Sequence, residues 1–239
     1  MCGIVGIVNL DFKPVQFDTL KRMSDIQKHR GPDDQGFADF SFQQENIKHY
    51  YNGVNKGNSA LRHGALGFNR LSILDLSLSG HQPMISENGK VAIVYNGETY
   101  NAFQFKPDLE KKGCIVDVKL KKIFLARDHA GIKPLYWYKN NNTILFASEI
   151  KTFLMHPNFD AAIEKSNIDE YLFYKYNAFD RTIFKGVHQV PAGHYLEISK
   201  TEIKLKKYWE PKIYSSKLNK NQALDQLEKW INNRVKSQL

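Results

Sequence analysis

Cys2 follows directly on Met1 and opens the run Cys2-Gly3-Ile4-Val5-Gly6. A methionine that precedes a small residue is commonly removed, and its loss would leave Cys2 with both a thiol and a free α-amine. That amine has an ordinary pKa of about 7.7–8.0, so it can act as a base near neutral pH. A thiol of pKa about 8.5 beside it can be activated as a nucleophile without any histidine. On its own, Cys2 reads first as a buried cysteine at the start of a strand. Asn96-Gly97 offers a side-chain amide and a backbone N–H side by side. This dipeptide reads as a hairpin turn, as a pair of donors aimed at a developing oxyanion, or as both. Arg70 carries a planar fork suited to a carboxylate; alone it would read as a structural ion pair.

These residues need elements to hold them. Ile4 to Val8 predicts a buried strand, and Leu20, Met23 and Ile26 predict an amphipathic helix over about Phe17 to Lys28. That helix stops before His29-Arg30-Gly31-Pro32-Asp33, because Gly-Pro cannot continue it. Residues 41–60 are polar with turn signals and read as a surface excursion. Strands are expected at Leu66–Leu74, Val91–Tyr95, Ile123–Ala126, Leu135–Tyr138 and Thr143–Ala147, the last two joined as a hairpin across Asn140-Asn141. Strands in runs, with helices kept apart, predict an α+β fold with antiparallel sheets. No Gly-rich strand-to-helix turn of a dinucleotide-binding fold is present.

Composition narrows the classes. The chain has 239 residues, 42% hydrophobic and 25% charged, which fits a globular protein with a substantial core. No apolar run approaches the ~18 residues of a membrane span, and no basic region precedes the short apolar N-terminus, so neither a membrane nor a signal peptide is expected. Two cysteines, Cys2 and Cys114, suit a reducing cytoplasm. The net charge of +9 raises nucleic-acid binding, but its lysines are scattered and no nucleic-acid motif accompanies them. The eight histidines form no metal-ligand pair, and no metal is expected.

Taken in order, the motifs resemble the glutamine-hydrolysing half of asparagine synthetase. They are Cys2-Gly3-Ile4-Val5-Gly6, His29-Arg30-Gly31-Pro32-Asp33, Arg70-Leu71-Ser72-Ile73, Gly80-His81-Gln82-Pro83-Met84 and Tyr95-Asn96-Gly97-Glu98. Arg127-Asp128, Gly131-Ile132-Lys133-Pro134-Leu135-Tyr136, Phe146 to Lys151 and Val190 to Tyr195 complete the set. The resemblance implies a class II amidotransferase of the N-terminal-nucleophile hydrolase type, four-layered αββα. It implies Cys2 as nucleophile, and Asn96 with the backbone N–H of Gly97 as the oxyanion hole. Arg70 would hold the α-carboxylate of glutamine, with Ile73, Leu74 and Glu98 lining the same pocket. His29 to Asp33 would shape and cover it.

Two departures from the family shape the expectation. The amphipathic helix of Leu224, Leu227, Ile231 and Val235 leads, in the family, into an ATP-dependent synthetase domain, and the chain stops at Leu239. ATP and magnesium therefore have their family site in a half outside this sequence, which the 219–239 helix would join. The domain reading is an amidotransferase domain over 1–208 and a linker with the first helix of that half over 209–239. The second departure is an internal deletion near 118–121, where the family's Ser-Asp-Thr-Glu-like loop, a helix and a core strand have no equivalent. That loop's aspartate binds the α-amino group of glutamine in the family. The reading is thus a glutamine-hydrolysing domain with impaired recognition of glutamine. The alternative is a non-catalytic remnant with at most a partner-binding role.

Overall fold

The computed structural model describes residues 1–51, 61–73, 76–97, 116–213, 215 and 218–236. Most of them belong to one body, Met1–Gly97 with Cys114–Trp209; a second unit comprises Glu98–Gly113 and Glu210–Leu239. Two antiparallel sheets build the first body. The seven-stranded sheet contains β1 (Gly3–Asn9), β2 (Asp34–Ser41), β3 (Asn46–Tyr51), β4 (Gly64–Arg70), β9 (Tyr136–Asn140), β10 (Thr143–Ala147) and β11 (Val187–Gln189), in the order β11-β9-β10-β1-β4-β2-β3. The six-stranded sheet contains β5 (Met84–Ile85), β6 (Val91–Ile93), β7 (Val116–Asp117), β8 (Lys122–Ala126), β12 (His194–Ile198) and β13 (Ile203–Lys207), in the order β13-β12-β8-β7-β6-β5.

Strand alternation assigns the two faces of the larger sheet to different cores. Ile4 and Val8 of β1, with Leu66 and Phe68 of β4 and Ile144 and Phe146 of β10, pack on Ala92, Val116, Ile123, Leu125, Leu196 and Ile198 of the smaller sheet. Val5 and Ile7 point the other way and meet Phe17, Leu20 and Met23 of helix α1 (Phe17–Asp25). Helix α1, the larger sheet and the smaller sheet give three of the four expected layers among the described residues. Helix α2 (Ser166–Tyr174) and helix α3 (Lys220–Lys236) follow; α3, in the second unit, carries the expected Leu224, Leu227, Ile231 and Val235.

Several boundaries differ from the sequence expectation. Helix α1 ends at Asp25, and a separate 3-10 turn, Lys28–Arg30, carries His29. Residues 46–51, expected within a polar excursion, form β3, paired with β2 from Gly36↔Tyr51 to Ser41↔Asn46. Tyr50, bonded through its hydroxyl to the buried Asp39 at 2.9 Å, anchors it from an apparently polar stretch. Residues 52–60 lie outside the described residues. Strand β4 stops at Arg70 and β6 at Ile93, so Leu71 to Ile73 and Val94 to Gly97 are free of the sheets to form loops. The hairpin over Asn140-Asn141 is present, with Asn141 in the left-handed region at φ 50°. Before Ile123, where a core strand was expected to be missing, the two-residue strand β7 pairs Val116 with Ala92 and with Ile123, so the smaller sheet has no gap between β6 and β8.

Candidate active site

Cys2 stands one residue before β1. The register Gly3↔Asn69 places it opposite the end of β4, where Arg70 and Leu71 leave the sheet. The N–H of Leu71 donates to Cys2 Sγ at 3.4 Å, and the thiol faces the Leu71 carbonyl at 3.8 Å. Cys2 is partly buried, packed against the cluster between the sheets that also contains Val94. Its backbone is fixed by Arg30, whose Nε donates to the Cys2 carbonyl at 3.0 Å. The next residue is anchored as well, since the Ile4 N–H donates to Ser148 Oγ at 3.0 Å and Gln27 Nε2 donates to the Ile4 carbonyl at 2.9 Å. The strand start is therefore held from the entry of the 3-10 turn, from that turn itself and from the residue that follows β10.

Arg30 is itself buried and paired. Its Nη1 donates to Glu149 Oε1 at 3.1 Å, and Glu149 also takes Lys151 Nζ at 3.0 Å and His29 Nε2 at 3.0 Å. Burial pulls the Glu149 carboxyl upward, but hydrogen bonds from Lys151, Arg30 and His29 outweigh it and leave it below the ordinary carboxylate value. Glu149 is thus ionised at neutral pH and compensates the buried guanidinium. The Arg30 Nη2 atom is buried without a hydrogen-bond partner. The sequence placed Arg30 in a loop expected to shape and cover the site and gave Glu149 no role. Only the fold reveals that residues 119 positions apart form one clamp on Cys2.

The 29–33 loop runs along the exit of β4. Asp33 N–H donates to the Arg70 carbonyl at 3.1 Å, and Asp33 Oδ2 accepts from Ser72 N–H at 2.7 Å. Gly31 allows this closeness, because a Cβ there would lie 2.3 Å from the Asn69 carbonyl oxygen. Arg70 is buried, and its Nη1 donates to the Ser77 carbonyl at 2.6 Å. It borders a cleft of about 650 Å³ lined also by Asp33, Asp34, Ser72, Leu76, Ser77 and Leu78. Neither Cys2 nor Asn96 lines that cleft. Ile73 is exposed, while Leu74 and Glu98 lie outside the described residues.

Asn96 is 8% exposed, and its Nδ2 is buried with no hydrogen-bond partner. A buried amide donor left open costs free energy and is available to an acceptor that enters the site. Gly97 follows under the Tyr95 ring, where a Cβ would meet the phenol oxygen at 2.5 Å. Among the described residues no group of three or more His, Cys, Asp or Glu side chains is disposed to hold a metal ion. No helix among them is long and apolar enough to cross a membrane.

The family model for the glutamine amidotransferase domain matches residues 1–116 and 113–209. The chain belongs to this family. Among curated relatives of this amidotransferase is glutamine-hydrolysing asparagine synthetase 2 of Bacillus subtilis, 31% identical over 87% of the chain and 30% of the relative. A Methanocaldococcus jannaschii protein, provisionally named as glutamine-hydrolysing asparagine synthetase 2, is 30% identical over 99% of the chain and 52% of its own length. The chain thus spans about a third to a half of the length of these relatives. Among solved structures, the glutamine phosphoribosylpyrophosphate amidotransferase of B. subtilis superposes with a TM-score of 0.59 over 88% of the chain and 50% of that protein, at 17% identity. That likeness concerns the fold alone.

Proposed function

We propose that this domain hydrolyses glutamine to glutamate and ammonia, with Cys2 as nucleophile. Removal of Met1 would free the Cys2 α-amine. The amine takes the thiol proton as Sγ attacks the side-chain amide carbon of glutamine. The oxyanion so formed would be met by Asn96 Nδ2 and the Gly97 N–H. Collapse of the tetrahedral species expels ammonia, which leaves with the proton held by the amine and leaves a thioester on Cys2. Water, deprotonated by the same amine, then releases glutamate and restores the thiol. Arg70 would pair with the substrate α-carboxylate at the rim of the cleft it borders. The Leu71 N–H on Sγ would help hold the sulfur in place for attack.

The observation that carries this reading is the buried, unpartnered Nδ2 of Asn96, a donor with no acceptor until a ligand supplies one. Asn96→Ala should lower kcat for glutamine hydrolysis by about 10²–10³-fold with a much smaller change in KM, because the oxyanion exists only beyond the ground state. An unchanged kcat in a folded Asn96→Ala protein would remove Asn96 from the oxyanion hole.

On this reading the domain boundaries remain 1–208 and 209–239, and ammonia would pass to an ATP- and magnesium-dependent half that amidates aspartate. No step above depends on ATP or magnesium. The 219–239 segment would connect to that half, and a reducing cytoplasm would suit the thiol. The alignment with the M. jannaschii relative runs over 284 positions against a chain of 239 residues, so the excess faces gaps in this chain. The two stretches matched by the family model meet at 113–116. We place the missing residues at that junction, a few positions before the 118–121 expected from the sequence, and with them the acidic group that would hold the substrate ammonium.

A further inference from the structure

The Asn96 donor sits in a segment that belongs to no sheet, which raises the question of what holds it in place. Strands β5 and β6 pair only through Met84↔Ile93 and Ile85↔Ala92. Continuing the register would set Pro83 opposite Val94 and Gln82 opposite Tyr95. Proline has no N–H to offer the ladder, so the backbone pairing ends there. The side chain of Gln82 takes over: its Oε1 accepts from the Tyr95 N–H at 2.6 Å, and its Nε2 donates to the Tyr95 carbonyl at 3.2 Å. This is a two-point clamp on the backbone immediately before Asn96, in the pattern of a hydrogen-bonded strand pair. The clamp has a firm base. Gln82 is 9% exposed, and its carbonyl presses on Gly36 of β2, where a Cβ would lie 2.0 Å from that oxygen. The neighbouring His81 is buried with Nδ1 on Asp34 Oδ2 at 2.5 Å.

From this geometry we infer that Gln82 is a positioning residue for the oxyanion hole, setting the place of the Asn96 amide through the Tyr95 backbone. The inference rests on the proposed glutaminase reading and extends it to a residue that touches neither substrate nor nucleophile. An amide is required, because only an amide presents an acceptor and a donor side by side to one residue's N–H and C=O. Gln82→Glu keeps the shape and the acceptor but turns a carboxylate oxygen toward the Tyr95 carbonyl. Gln82→Met keeps the volume and removes both bonds.

The test is a double-mutant cycle on the full chain, with hydrolysis of radiolabelled glutamine followed so that a rate reduced roughly a thousandfold is still read. Thermal melts confirm folding of each variant. At pH 8, Gln82→Glu and Gln82→Met should each lower kcat about tenfold or more with KM changed less than about threefold. In an Asn96→Ala background the same substitutions should lower kcat less than about twofold, since the donor they aim is gone. Equal losses in both backgrounds, or a loss confined to KM, would overturn the positioning role. An active wild type with full activity in both folded Gln82 variants would also overturn it and leave the glutaminase reading standing. A wild type that hydrolyses no glutamine would overturn both.

Discussion

Cys2 and Cys114 make a direct comparison at the scale of single residues, because they are the only thiols in the chain. Cys2 receives the Leu71 N–H on its sulfur and has its carbonyl held by Arg30. Cys2→Ala is expected to abolish glutamine hydrolysis, while Cys114→Ala should retain it within about twofold, as measured by glutamate release. Equal loss in both would end the nucleophile assignment. Cys2 and Asn96 were legible in the sequence only through the ordered set of motifs around them, since alone each reads as a structural residue. The clamp of Arg30 and Glu149 was not, since a buried ion pair joined across 119 positions leaves no local pattern. Gln82 was hidden for a similar reason. Its amide replaces a backbone pairing that only the β5–β6 register exposes.

The elements that carry these residues make predictions of their own. Gly31 lies against backbone atoms of Asn69 and Arg70 that cannot yield as a side chain would. Gly31→Ala should therefore destabilise the protein by about 1–3 kcal/mol, seen as a melting temperature lower by about 3–10 °C. It should also depress glutamine hydrolysis, because the 29–33 loop carries both Arg30 and the Asp33 contacts to the exit of β4. His63, just before β4, is 4% exposed among the rings of Phe12, Phe40 and Phe42. Burial pushes its pKa from 6.5 down to about 4. The unfolded chain therefore binds the proton at higher pH than the folded one. The neutral histidine's contribution is complete above about pH 6.5 and is lost on acidification toward pH 4, amounting to about 3 kcal/mol. Denaturant titrations across that window should show the decline in wild type and a shallower one in His63→Leu. The apolar strands and α1 were readable from their periodicity. Strand β3 was not, because its anchor is a tyrosine hydroxyl on a buried aspartate rather than a row of aliphatic side chains.

At the scale of the molecule, the proposed reading has the chain keep its sheets while lacking residues at the 113–116 junction, where the two stretches of the family match meet. Strand β7 explains how the smaller sheet tolerates this: two residues suffice to bond β6 on one side and β8 on the other. The proposed reading assigns the loss to substrate recognition rather than to the fold. A chimera that restores a relative's stretch at this junction should lower KM for glutamine about tenfold or more with little change in kcat. An unchanged KM in a folded chimera would show that the ammonium has another partner here.

Cys2 is proposed here as a processed N-terminal nucleophile in a pocket that recognises glutamine. Intact mass of the purified chain, with and without an electrophilic glutamine analogue, tests it most directly. The mass should lack Met1 and show a single adduct that maps to Cys2 and is suppressed by excess glutamine. Retained Met1, an adduct on Cys114, or labelling that glutamine does not suppress would contradict it.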